Sequence, residues 1–411
     1  MELKNKPNII GEKKAYLPLA IGIYLNYAIL GMATIIISQY GNQFQLLWHT
    51  DVKGISTVIS MIGIGRLLTI LFAGFLSDSL GRKVTMLIGM ITQIIFLLGL
   101  FLSTNLISAC IIALFMGATN SFGDTSSYPA LTDAFKNHAA SMNSLVKAAM
   151  SIAQFILPFV VAAQPNAKIT LITMVTIIIL DIVLIGLANF APQTLVQQHP
   201  SKKFKKVARP TTSVKTKTSQ PSMLIDGSLL IIVGFTLSFT FYIFSQYAPN
   251  FGSNVLKLGI NSSKSLISWY AMASLISVFV TSSLVTHIKP IKLIFIYTLI
   301  SFLALLQMII IRSADGARLT AIAIGFFAAG GIWQLGLTLL SQYFPTEKGK
   351  VTGYYSFATA LTFFVGPLVS SFIIDDTAAG VLHVFEIDTV ITLLSLIIIS
   401  ILMIRNRKFS L

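Results

Sequence analysis

Gly74-Phe75-Leu76-Ser77-Asp78-Ser79-Leu80-Gly81-Arg82-Lys83 is a short polar turn set between two long apolar runs. An acid, a glycine and a basic pair crowd into a connection of a few residues. Gly74 has no side chain to hold another helix away. Asp78 suits the positive N-terminus of a neighbouring helix. Arg82 and Lys83 would hold the turn on the cytoplasmic side of a bilayer. Gly74, Asp78, Gly81, Arg82 and Lys83 are the five residues that set this turn apart.

The flanking runs set the fold class. Of 411 residues, 55% are hydrophobic and only 10% charged, against about 25% charged in soluble domains. That is too little charge to cover a globular surface in water. Twelve apolar runs are long enough to cross the hydrocarbon core as helices: about 16–38, 53–76, 84–103, 106–131, 140–163, 168–191, 225–249, 263–287, 291–312, 317–341, 349–373 and 383–404. The expected fold is an all-α membrane protein of twelve transmembrane helices.

The net charge of +15 could suggest a nucleic-acid binder, but its placement argues otherwise. With both termini inside, 21 Lys and Arg fall in cytoplasmic segments and 6 outside, leaving only Arg66 and Lys147. That bias orients the chain. Residues 1–14 carry four lysines and read as a retained cytoplasmic tail. The stretch 192–222, rich in Lys, Thr, Ser and Pro, reads as a basic cytoplasmic linker. It divides an N-terminal six-helix bundle, 1–191, from a C-terminal one, 223–411. Its basic run lacks the aromatic interleaving of a nucleic-acid surface.

Weak echoes relate the halves. Phe135 and Pro158 recur as Phe344 and Pro367 at an offset of 209, and Ser38-Gln39-Tyr40 recurs as Ser245-Gln246-Tyr247 at 207. Duplication explains these offsets and makes the bundles pseudo-symmetric. His287 stands where a second copy of Asp78 would be.

Charges deep in a membrane are functional candidates. Setting aside those within five residues of a span end leaves Arg66, Asp124, Lys147 and Asp181, all in the first half. Asp124 and Lys147 lie at similar depth on consecutive spans, so an ion pair between them is the economical expectation. A pair there serves packing, or else Asp124 takes a proton and Lys147 binds an anion. Arg66 then lacks an obvious partner, apart from Asp181. An unpaired guanidinium in a cavity favours a carboxylate. Around these stand Tyr27 and Asn120 in the first half. Trp333 and Gln334 follow Gly330 and Gly331 in the second, where glycines leave room for a ligand or a close helix contact. Each aromatic also has a plain packing role available to it.

No phosphate-cradling glycine loop is followed by Lys-Ser or Lys-Thr, and no His-Glu-x-x-His helix or cysteine cluster occurs. No ATPase activity, enzyme, metal site or cofactor is therefore expected. The pattern Gly-x-x-x-Asp-x-x-Gly-Arg-Lys after the second span resembles the signature of the major facilitator superfamily. The resemblance implies a secondary transporter with parallel repeats and a midplane site, and a cytoplasmic gate at Asp78, Arg82 and Lys83. Many proton-coupled members carry an arginine early in span four. Here Ala109-Cys110-Ile111-Ile112-Ala113-Leu114 has none, so Asp124 becomes the proton-coupling candidate.

A narrower resemblance rests on Gly63-Ile64-Gly65-Arg66-Leu67, Asn120-Ser121-Phe122-Gly123-Asp124, Tyr128-Pro129 and Gly349-Lys350-Val351-Thr352-Gly353. These are similar to a bacterial permease group, some of whose members are associated with quinate and shikimate utilisation. It implies a small hydroxylated carboxylate as cargo. The expectation is a monomeric, multi-pass bacterial inner-membrane symporter of a small organic anion, coupled to protons. Rival readings are a proton-coupled exporter of drugs or sugars and a non-transporting receptor. Fold alone does not separate them.

Overall fold

The structure, a computed structural model, describes residues 15–192, 221–285, 287–344 and 348–407. The N-terminal tail and almost all of the linker lie outside the described residues. Among the described residues, twelve helices long and apolar enough to cross a membrane follow one another. They are α1 Leu17–Gln39, α2 Val52–Ser79, α3 Arg82–Leu102, α4 Leu106–Ala134, α5 Ala139–Ala163 and α6 Ala167–Leu187, then α7 Met223–Val255, α8 Ile260–Leu284, α9 Pro290–Ile311, α10 Ala314–Leu340, α11 Lys348–Ile373 and α12 Ala378–Asn406. In lipid every backbone amide must bond internally, which these apolar runs achieve as helices.

The face where α6 ends and α7 begins is called the linker face here; the other is the far face. Five of the six helices entering from the far face are capped by side chains, α8 with Gly259 at its N-cap being the exception. Asp51 accepts from Gly54 N at 3.0 Å, Asn105 from Ser108 N at 2.9 Å and Thr377 from Gly380 N at 3.1 Å. Each cap satisfies an otherwise orphaned donor.

Two departures from expectation matter. The tenth span is not one regular helix. Ala314–Ala323 runs into a π-helical stretch, Ile324–Ala329, and the chain breaks at Gly330-Gly331 before Ile332–Tyr343. The glycines serve close contact with α8: an added Cβ at Gly330 would come within 2.2 Å of Ser277 Cβ, and one at Gly331 within 2.6 Å of Thr281. The twelfth helix begins at Ala378, five residues before the expected start. Asp388 is therefore fully buried within a span, and the second half does hold a deep acid.

The halves meet through α2 with α11, α5 with α8 and α1 with α7. Across that seam Gln246 Nε2 donates to Thr34 O at 3.1 Å, Tyr247 Oη to Ser56 Oγ at 3.0 Å and Ser268 Oγ to Phe155 O at 2.9 Å. All six residues lie in the far half. Gly63 of α2 abuts α11 so tightly that an added Cβ would sit 2.2 Å from Phe364 N. Gly74 is eleven residues on, three turns along the same face. A Cβ there would meet only Thr125, at 4.0 Å, and one at Gly353 of α11 would meet nothing within 4 Å. The close helix approach expected at Gly74 is thus absent in this conformation. The halves are closed on the far face and apart toward the linker face.

Candidate functional site

Two glycines make the central cluster possible. An added Cβ at Gly65 would lie 2.1 Å from Leu114 O, and one at Gly117 2.3 Å from Arg66 N. Backbones of α2 and α4 therefore touch, as small residues permit. Ser121 Oγ of α4 donates to Arg66 O at 3.1 Å and accepts from Thr69 Oγ1 at 2.9 Å, which fixes the rotation of α2 against α4.

Held this way, Arg66 reaches Asp124, its NH2 group 2.8 Å from Oδ2. Tyr27 Oη of α1 donates to Oδ1 of the same carboxylate at 3.0 Å. Tyr27 is buried and carries Tyr128 edge-on at 5.8 Å. The Arg66 guanidinium also lies over the Phe363 ring of α11, 4.9 Å from its centroid. One carboxylate thus joins α1, α2 and α4, and the paired cation touches the other half. Side-chain exposures are 21% for Arg66 and 30% for Asp124, so the pair is not sealed from the space between the halves. Arg66 Nε has no partner among the described residues.

This overturns the expected pairing of Asp124 with Lys147. No bond joins them among the described residues. Equal depth was the argument for the pair, and depth leaves open which way each side chain points around its helix. Arg66 is not unpartnered, and Asp181 is not its partner. Asp181 is buried against Gly22 of α1, with both carboxylate oxygens unbonded among the described residues.

Lys147 is half-buried on α5, with no acidic partner among the described residues. Asn143, Lys147, Ser151 and Gln154 recur at helical spacing and form one polar stripe. Asn120, one turn from Asp124, spends its amide on Met116 O of its own helix at 2.9 Å. Trp333 is 38% exposed on the second segment of α10, with Nε1 3.4 Å from Thr359 Oγ1 and its ring 6.1 Å from that of Tyr355. Gln334 beside it is exposed. The structure therefore assembles Tyr27, Arg66 and Asp124, with Asn120 adjacent, and leaves Lys147 and the Trp333–Gln334 pair on other helices.

At the linker face the signature turn is compact. Gly81 has φ 95° and ψ 156°, a conformation open to glycine. Asp78 does not cap a neighbouring helix. It takes Arg82 NH1 at 2.8 Å, and the same nitrogen reaches Ser77 Oγ at 2.7 Å. Lys83 Nζ donates to Gly186 O at 2.6 Å and Ala188 O at 3.3 Å, which ties α3 to the end of α6.

The sequence reading missed a second ion pair. Arg405 near the end of α12 bonds Asp226 at the start of α7, Nε to Oδ1 at 2.6 Å and NH2 to Oδ2 at 3.1 Å. Both residues were set aside as span-end charges. The acid's full burial has no signal in the sequence beyond its place at the edge of an apolar run.

Residues 19–328 match the profile of the Major Facilitator Superfamily. The chain belongs to that family. It is 32% identical over 401 residues to the inner membrane transport protein YdiM of Escherichia coli K12, with 96% of each chain covered. It is 31% identical over 400 residues to the uncharacterised MFS-type transporter YfkL of Bacillus subtilis 168, covering 95% of this chain and 97% of that one. Its fold is that of solved transporters. A D323A variant of the nucleoside transporter NupG superposes with TM-score 0.75 at 12% identity, covering 94% of this chain and 99% of that one. The D-xylose-proton symporter superposes with TM-score 0.74 at 14% identity, covering 94% and 97%. This major facilitator protein is a multi-pass membrane transporter.

Proposed function

We propose that this transporter moves a small organic anion, a hydroxylated carboxylate of the quinate or shikimate kind, in symport with protons. The observation that carries the reading is the ownership of the deep charges. Arg66 is already matched by Asp124. Lys147 is the deep cation left without an acid among the described residues, and an unmatched buried ammonium favours a substrate carboxylate. Asn143 and Gln154 on its stripe are hydrogen-bonding partners for hydroxyl groups. Trp333 and Gln334 offer a stacking face and an amide from the other half.

Asp124 is the proton site in this reading. Protonation removes its charge, releases Arg66 and weakens the hold of Tyr27. Because Arg66 also packs on Phe363 of α11, that release reaches the seam between the halves. A proton then has a differential effect on the two conformations, which coupling requires. The linker face is cytoplasmic, supported by the 21-to-6 distribution of basic residues, and Gly74, Asp78, Gly81, Arg82 and Lys83 act at the cytoplasmic gate. The protein works as a monomer in a bacterial inner membrane.

A neutral polyol or sugar is the second reading, favoured by the mutual neutralisation of Arg66 and Asp124. Uptake of quinate and of its uncharged amide into proteoliposomes separates the two. Lys147→Gln should lower quinate uptake tenfold or more, about 1.4 kcal/mol, and leave amide uptake unchanged. Preference of the wild type for the amide makes the neutral-cargo reading the correct one.

A further inference from the structure

A cavity of about 600 Å³ lies at the far face, between the ends of α1, α5 and α7 and the starts of α2 and α8. It is separate from the central cluster, and both halves line it. Its lining includes a lysine, Lys264, and no acidic residue. Lys264 is half-buried, 5.6 Å above the Tyr40 ring, and has no acidic partner among the described residues.

Two buried amides point to a ligand. Gln39 is fully buried and its Oε1 and Nε2 both lack partners; Gln246 is 1% exposed and its Oε1 lacks one. They are the two copies of one repeat position, one from each half. Buried polar atoms are ordinarily satisfied, and leaving one bare costs about 1–3 kcal/mol. The hydroxyls of the two tyrosines beside them are already engaged. Tyr40 Oη donates to Gln164 O at 2.7 Å and Tyr247 Oη to Ser56 Oγ at 3.0 Å. Two glutamines with bare amide atoms, closed off from solvent in this conformation, and one unmatched ammonium therefore border one cavity.

We infer that this far-face cavity is a second binding site, for a small hydroxylated carboxylate. The carboxylate accepts from Lys264 Nζ, and rotation of the two glutamine side chains toward the cavity brings their bare amide atoms to the ligand's remaining polar groups. The volume falls within the range of small-molecule sites. Because each half supplies one glutamine, a ligand here bridges the seam and stabilises the far-closed conformation. The site stands on its own lining and does not depend on the identity of the central substrate.

The test is calorimetric titration of the purified full chain with quinate and with its amide. Wild-type protein should bind quinate at two sites. Lys147→Gln should keep one, and adding Lys264→Gln should remove it, at least tenfold in affinity. Lys264→Arg should retain it, and matching unfolding temperatures exclude misfolding. Binding that depends on Lys264 and not on Lys147 upholds the far-face site and refutes the central-site assignment. Binding indifferent to Lys264, or no quinate binding in the millimolar range, overturns the proposal. Equal affinity for the amide at the Lys264 site overturns it too.

Discussion

The two arginine–aspartate pairs, Arg66 with Asp124 and Arg405 with Asp226, are alike in chemistry and opposite in setting. Asp226 is fully buried, takes two bonds from Arg405 and one from Ser222 N at 2.8 Å, and ties the first and last helices of one half together. Among the described residues the bonds of that pair all stay within its own half. Asp124 is partly exposed, takes one bond from Arg66, and its cation reaches across the seam to Phe363. A pair closed on itself holds a shape. A pair left partly open, with an unbonded Nε and a contact on the moving partner, can report a change of state.

The contrast breaks most sharply at Asp124. Asp124→Asn should reduce proton-driven uptake tenfold or more, about 1.4 kcal/mol in the barrier, while exchange of labelled for unlabelled substrate continues. Exchange lost in parallel with uptake would make the pair a packing element like its counterpart. Stability gives a second reading of the same pair. Asp124→Asn should cost about 1–3 kcal/mol, between exposed and buried pairs. Arg66→Met in the same chain should recover part of it, and strict additivity of the two losses would contradict the pairing.

Two glycines two residues apart sharpen the distinction between shape and state. Gly65 packs within one half and Gly63 across the seam. Gly65→Ala should lower the unfolding temperature. Gly63→Ala should instead push the halves apart on the far face, raising thiol labelling of a cysteine placed at Gln246 severalfold in a Cys110→Ser background. Equal labelling in both variants would show that the seam does not govern access.

The smallest effect on transport is expected at the closed pair. Asp226→Asn should lower the unfolding temperature by a few degrees and leave the substrate affinity and proton dependence of uptake unchanged. A shift in proton dependence would remove the distinction drawn between the pairs.

Much of this architecture was legible because lipid leaves few options. Twelve apolar runs of sufficient length read directly as twelve helices, and the Gly81 turn announced itself by its residues. Rotation about a helix axis was not legible. Asp124 and Lys147 matched in depth, yet the glycine contact of Gly65 and Gly117 brings Arg66 to Asp124 instead. Asp388, five residues into the expected span 383–404, falls among the span-end charges, and an early helix start at Ala378 puts it inside the bundle. The break at Gly330-Gly331 was invisible to hydropathy, since both segments of α10 are apolar.

The contact at Gly63 has a mechanical consequence. It lies eleven residues from the far end of α2 at Val52 and sixteen from the linker end at Ser79. At about 1.5 Å per residue the arms are roughly 16 Å and roughly 24 Å. If the halves rock as rigid bodies about this point, it acts as an off-centre fulcrum. The linker-face rim then sweeps about one and a half times as far as the far-face rim for the same angle. The doorway on one side is wide and the other narrow, with no difference in the helices that frame them.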